Sequence, residues 1–315
     1  MKVSYWEEKE VLNQIEWIKK YNDACDKFLD KTPDEISYLY SYFSIAEHQS
    51  FIREITNKIG LSLKGNGLEI GSGPGILSIS LINIFKNIKN IILLDKVPNA
   101  YKLQEKLINY TKLNQKIDCA IGDFNDLKIN DNSLDFVLDF DSVHHSENFD
   151  LTFKEISRVL KPGGIFLCFD RGQPNKVSKK HIEYLLDIEY NTNYKLENNI
   201  PLDKKFTRRM NGETEPYLKD WLITGNKYKF SSEVFIFHKK NFKAFLRSLY
   251  GVTPFLFRKI FNKGYNITTH YQVILHYFKI NNFNGIKVFN LNFSSKSTKS
   301  PKAKMVFLFE KKTSN

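Results

Sequence analysis

Glu69, Gly71, Gly73 and Gly75 stand at the spacing E-x-G-x-G-x-G, inside the run Leu68-Glu69-Ile70-Gly71-Ser72-Gly73-Pro74-Gly75. Glycines so placed let a backbone turn tightly and admit a ligand against bare amide groups. The residues behind them, Ile76 to Phe85, are apolar at helical spacing. A helix beginning there offers its first N–H groups to an anion. A dinucleotide site would need glycine or alanine at position 76. Ile76 stands there instead, which disfavours a nicotinamide cofactor.

Two further acids follow at the ends of apolar runs. Asp95 closes Ile91-Ile92-Leu93-Leu94, 24 residues after Gly71. A carboxylate at that place in a nucleotide-binding fold can accept both hydroxyls of a ribose. Asp123 closes Ala120-Ile121-Gly122 and is followed by Phe124. The acid can take the exocyclic amine of adenine while the ring packs on the base. The plainer alternatives are an exposed acid at a strand end, and a turn aspartate beside a core phenylalanine. Beyond Leu134 to Phe140 lie Asp141, His144 and His145. Histidine titrates nearest to neutrality, so these three are the candidates for a general base. The paired histidines also suit a purely local role, orienting the loop or capping the next helix. Asp139 and Phe140 are expected to line the ligand.

The elements that must position these groups read as an α/β fold. Residues 6–60 carry helical periodicity, with Thr32-Pro33-Asp34-Glu35 as a helix start. From Gly67, short apolar strands alternate with helices: Leu68–Ile70, Ile91–Asp95, a strand ending at Asp123, Leu134–Phe140 and Gly164–Phe169. That alternation predicts a doubly wound, mostly parallel sheet, here of seven strands. A long segment from Arg171 to about Ile267 then intervenes before a helix over His270–Phe278 and strands over Ile286–Phe293 and Lys304–Glu310, which should pair with each other. The expected organisation is a helical extension (1–60), a core (61–170), an inserted cap (171–267) and closing elements of the core (268–315).

Five features in order resemble the class I S-adenosylmethionine (SAM) dependent methyltransferases over about 110 residues. They are the glycine loop with Asp95, Gly122-Asp123, Asp135-Phe136-Val137, His144-His145, and Arg158-Val159-Leu160-Lys161-Pro162-Gly163-Gly164. The resemblance implies a Rossmann-like fold, SAM as cofactor, and Glu69, Gly71, Gly73, Asp95, Asp123 and Phe124 as its contacts. Ser72, Gly75 and Asp139 are candidate contacts beside them. The reaction implied is displacement of an activated methyl group, in which the protein mainly aligns the partners and excludes water.

Absences narrow the acceptor. The segment after the fourth strand reads Asp139-Phe140-Asp141-Ser142, without the Pro-Pro pair that enzymes methylating base amines show there. None of Cys25, Cys119 and Cys168 follows a proline, so thiolate attack on a cytosine is unsupported. An oxygen acceptor is favoured. Arg171, Arg208 and Arg209 are candidates to grip an anionic acceptor, because guanidinium groups bind phosphate or carboxylate in bidentate fashion. Their alternative is a salt-bridge network within the cap. Together these point to a small, anionic acceptor; the cap resembles those of enzymes of surface-polysaccharide biosynthesis, and that resemblance implies an activated sugar or surface-polysaccharide precursor.

Net charge is +12, and it is unevenly spread. Residues 1–170 hold 20 Lys+Arg against 25 Asp+Glu, whereas residues 171–315 hold 27 against 10. No carboxylate occurs from Val234 to Phe309. A basic surface of that kind suits a polyanion or an anionic membrane face. It keeps an RNA methyltransferase and a membrane-associated lipid methyltransferase as rivals, beside a non-catalytic binding module of the same fold. Phe242 to Phe261 mixes aromatic and basic residues and fits either a lid or the packing of the cap. No apolar run reaches the 18 or more residues that span a bilayer, and the N-terminus lacks an apolar signal core. The cysteines show no metal-ligand spacing and fit buried free thiols. A cytoplasmic protein, at most peripheral to a membrane, is expected, with no metal.

Overall fold

The computed structural model describes residues 2–8, 12, 15–173, 175, 177–198, 200–239, 286–291 and 303–313. The strands are β1 (Val3–Tyr5), β2 (Gly65–Ile70), β3 (Ile88–Asp95), β4 (Ile117–Ile121), β5 (Leu134–Phe140), β6 (Leu160–Phe169), β7 (Phe230–Lys239), β8 (Ile286–Leu291) and β9 (Ala303–Lys311). They form one sheet in the order β1-β4-β3-β2-β5-β6-β9-β7-β8. Neighbours from β1 to β6 run parallel, and β9 lies antiparallel between β6 and β7.

The doubly wound sheet therefore has nine strands among the described residues rather than seven. One extra strand, β1, pairs with β4 through Val3 and Cys119. The other change concerns the closing strands. Phe230–Lys239, expected inside the cap, buries Val234, Phe235, Ile236 and Phe237 and takes the place beside β9. The 286–291 strand is consequently an edge strand on β7 and does not pair with 303–311. The helix expected over 270–278 and the amphipathic stretch over 242–261 lie outside the described residues.

Helices cover both faces, as a parallel sheet requires. They are α1 (Glu16–Phe28), α2 (Pro33–Ser41), α3 (Ile45–Ile59), α4 (Ile76–Ile84), α5 (Ala100–Thr111), α6 (Phe149–Val159), α7 (Lys179–Leu186), α8 (Thr192–Glu197) and α9 (Leu218–Lys227). On one face α3 and α4 pack Phe51, Ile55, Leu77 and Leu81 against Leu93, Leu138 and Leu167. On the other, Phe153 of α6 and Trp221 of α9 pack in one cluster with Phe307 and Phe309 of β9 and with Ile70, Leu94, Val137 and Phe166. Two helices of the N-terminal extension start on reciprocal capping boxes, Thr32 with Glu35 and Ser44 with Glu47. Each box satisfies two otherwise orphaned amides. This fixes where α2 and α3 begin, and so what they present to the sheet.

Candidate active site

The carboxyl ends of β2 to β5 open into a cavity of about 710 Å³. It lies where the strand order reverses around β2, the usual ligand crevice of a doubly wound sheet. Glu69, Gly71, Ser72, Gly73, Asp95, Asp123, Phe124, Asp141, His145 and Arg209 all line it. Gly75, Asp139, His144, Arg171 and Arg208 are not among its lining residues.

The loop between β2 and α4 takes its shape from its glycines. Gly71 has φ +55° and Gly75 φ +77°. A Cβ at Gly71 would fall 2.3 Å from that of Ser142, and one at Gly75 2.4 Å from Leu93 Cδ1. Gly75 is thus a packing and turn residue rather than a wall of the cavity. Asp95 ties the loop to β3: its Oδ2 accepts from the Gly73 amide at 2.8 Å and its Oδ1 from Val97 at 2.9 Å. Each oxygen keeps a further lone pair. Burial raises the Asp95 carboxyl. Glu69 accepts from the amide of Ser78 at 3.0 Å and also from its hydroxyl. Burial pushes this carboxyl up to about 7, against the pull of the Ser78 bonds. Asp123 accepts from Lys96 Nζ at 2.7 Å and from the Asn125 amide at 2.7 Å.

Beyond β5 the structure separates residues that the sequence placed together. Asp139, expected against the ligand, is fully buried. It accepts from the amides of Ser142 and Val143, both at 3.0 Å, from the Ser142 hydroxyl, and from Cys168 Sγ. Its work is to turn the chain after the strand. Asp141 then sits exposed at φ +58° and faces the cavity, a backbone region that aspartate tolerates better than most residues.

His144 and His145 also part company. His144 is buried, with Nδ1 2.7 Å from Asp170 Oδ1, and its own amide donates to Asp170 Oδ2 at 2.9 Å. Burial works to raise Asp170, but His144 and Arg171 beside it hold it low. His145 reaches the cavity, lies 4.2 Å from His144 between ring centroids, and points Nδ1 at the Gly212 carbonyl. Burial lowers its pKa to about 4. Asp139, Cys168 and Asp170 come close enough to share an ion, yet their polar atoms already bond to Ser142, Val143, His144 and Arg171.

The arginines serve the cap. Arg208 is buried and donates to Glu213 Oε2 (2.8 Å from Nη2) and to Glu215. Arg171 donates to Glu213 at 2.5 Å. Both were candidates to hold the acceptor; both sit behind the wall, because two buried carboxylates compete for them. Arg209 does reach the cavity, but its guanidinium pairs with Glu183 and Asp187.

Sequence reasoning missed the wall contributed by the N-terminal extension. Trp17, Tyr21, Cys25, Tyr40 and His48 all line the cavity. Tyr40 packs over the glycine loop, 3.3 Å from where a Gly73 Cβ would stand. The Tyr21 hydroxyl donates to Asn211 Oδ1 at 3.2 Å, joining α1 to the cap. No spacing rule marks these residues. The only available signal was the i, i+4 pair Trp17 and Tyr21 on a helix preceding the core.

A doubly wound sheet, a glycine loop after its central strand and acids at the next two strand ends, all around one cavity, define a class I methyltransferase fold. Residues 68–168 match the family model described as "Methyltransferase domain". Among curated proteins, the chain is similar to sterol 24-C-methyltransferase erg6 of Aspergillus fumigatus, 30% identical over 132 residues (41% of this chain, 33% of that protein). It is also similar to demethylmenaquinone methyltransferase of Staphylococcus carnosus, 26% identical over 156 residues (50% of this chain, 64% of that protein). The match thus spans a third of the first relative and just under two thirds of the second. A solved structure from Galdieria sulphuraria, assigned as a sarcosine dimethylglycine methyltransferase, aligns over 86% of this chain and 87% of its own. Its TM-score is 0.50 at 19% identity, a likeness of fold. The cofactor of this fold and loop is SAM.

Proposed function

We propose that this protein transfers the methyl group of SAM to a small-molecule acceptor held between the glycine loop, α1 and the cap. The single observation that carries the reading is the convergence of Glu69, Gly71, Gly73, Asp95, Asp123 and Phe124 on one cavity. Bound there, the cofactor supplies an electrophilic methyl on a positively charged sulfur. The chain's own residues do the rest. Asp95 takes ribose hydroxyls with its remaining lone pairs, and Asp123 and Phe124 take the adenine edge and face. Glu69 and the amides around Gly71 and Gly73 hold the amino-acid end. Tyr40 covers the loop and keeps water from the transfer, which is chiefly a matter of alignment.

An oxygen acceptor must lose a proton as its lone pair forms the new bond to carbon. His145 is the base we assign. It reaches the cavity, whereas His144 and Asp139 do not. Asp141 is the second group able to take that proton. The anionic or activated-sugar acceptor expected from the sequence loses its main support here, since Arg171 and Arg208 sit in a buried ion-pair network. The RNA and membrane readings rest on residues 234–309, most of which lie outside those described. No helix among the described residues is long and apolar enough to cross a membrane.

The test is calorimetry with S-adenosylhomocysteine, followed by a screen of pooled metabolites for its release from SAM. Binding in the micromolar range with turnover of a small molecule is the expected outcome. An absence of any S-adenosylhomocysteine binding would leave only a non-catalytic relic of the fold.

A further inference from the structure

The strand ends and the glycine loop account for one part of the cavity wall. Other parts of the wall come from Trp17 and Tyr21 on α1, Tyr40 on α2 and Met210 in the turn preceding Gly212, and Phe140 at the end of β5 adds a further ring. Aromatic faces are apolar and carry a negative quadrupole, so they favour apolar or cationic groups over anions. Trp17 and Tyr21 meet edge to face at 6.0 Å, and Tyr21 is fixed by its bond to Asn211.

The charges around the same cavity point the same way. Asp141 and Glu147 line it beside the three acids of the cofactor part, while Glu213, which also lines it, is paired with Arg171 and Arg208. Its two described cations are engaged, Lys96 by Asp123 at 2.7 Å and Arg209 by Glu183 and Asp187. A phosphate or carboxylate entering here would meet carboxylates and have to take a guanidinium or ammonium from an existing partner. A partly desolvated anion near like charges is strongly disfavoured.

We infer that Trp17, Tyr21, Tyr40 and Met210 form the acceptor subsite, and that it takes a neutral or amine-bearing ring compound in preference to an anionic one. The inference rests on the methyltransferase reading and names its substrate class. It makes Trp17 a specificity-determining residue. Trp17 is 41% exposed, so its truncation removes a wall of the cavity without opening the core.

The experiment uses the full chain saturated with S-adenosylhomocysteine and three probes of one scaffold: 4-ethylphenol, tyramine and 4-hydroxyphenylacetate. All present the same phenol and differ in side-chain charge. The neutral and cationic probes are expected to bind about tenfold or more tightly than the anion, a ratio worth about 1.4 kcal/mol. Trp17→Ala should weaken those two by roughly fivefold or more and leave S-adenosylhomocysteine affinity unchanged. Equal or tighter binding of 4-hydroxyphenylacetate, no binding by any probe at millimolar concentration, or indifference to Trp17→Ala would overturn the inference. S-adenosylhomocysteine binding, measured first and alone, reports separately on the methyltransferase reading.

Discussion

His145 directs Nδ1 at the carbonyl oxygen of Gly212, 3.2 Å away. A carbonyl only accepts, so Nδ1 carries the ring proton and Nε2 is left with its lone pair. The cap, through one backbone oxygen, thus selects the tautomer of the residue that faces the cavity. Burial holds the ring's pKa near 4. It is therefore neutral, and able to accept a proton, across the physiological range.

The pH dependence of methyl transfer tests this directly. With a conjugate-acid pKa of about 4, His145 stays in its base form above that value. At saturating SAM, the acid limb of kcat/KM for the acceptor should lie near pH 4, with no limb from His145 between pH 5 and 8. A limb centred near 6.5, the ordinary histidine value, would contradict the assignment. His145→Gln should lower kcat by about 100-fold or more, the scale of a general base, while S-adenosylhomocysteine affinity changes little.

Glu69 predicts a dependence of the opposite kind, in stability. Its folded pKa is about 7 against an ordinary 4.5. Between those values the folded chain holds a proton that the unfolded chain has lost, so stability falls as pH rises through that window. The full difference is on the order of 3 kcal/mol. Glu69→Gln has no such titration. Without cofactor, its Tm relative to the parent should rise from pH 5 to pH 8. A difference that stays constant with pH would show that the carboxyl is not held protonated.

Asp95→Ala removes the acceptor of the Gly73 and Val97 amides together with the proposed ribose partner. Hydrogen bonds to a charged group are worth about 1.5–3 kcal/mol each. A loss of roughly tenfold to a few hundredfold in S-adenosylhomocysteine affinity is expected by calorimetry, with circular dichroism close to the parent. Gly71→Val should go further and abolish binding, since a Cβ there overlaps Ser142. Retained affinity in both variants would remove the glycine loop from the site.

The two neighbouring arginines should separate in thermal denaturation. Arg208→Met leaves Glu213 and Glu215 to share Arg171 alone, a loss of up to about 3–5 kcal/mol by analogy with other buried pairs. Arg209→Met breaks pairs that water already screens, and its Tm should hardly move. Similar Tm values for the two variants would argue against the buried network.

Much of the glycine-loop wall of the cavity was legible in the sequence. A glycine at φ +55° pressed on Ser142 admits no other residue, so such positions write themselves into the sequence. Acids at strand ends are equally visible, because the alternation of strand and helix locates the ends. Asp139 misled for a local reason. Its position next to the cavity was inferable, but its direction depended on which amides of the following turn needed an acceptor. Phe230–Lys239 misled for a topological one: a strand inserted between two distant partners leaves no mark of its neighbours.

The chain's sequence determined the sheet's winding, the glycine turn and the acids around it, since those follow from backbone sterics and from the periodicity of short segments. Tertiary structure alone decided which histidine meets the cavity, that Arg171 and Arg208 turn inward to Glu213 and Glu215, and that Trp17, Tyr21 and Tyr40 close the far wall. Those outcomes join residues up to about 190 positions apart, as Tyr21 and Asn211 are. Their contact is set by competition among buried charges and by packing across elements, and neither quantity is carried by local spacing.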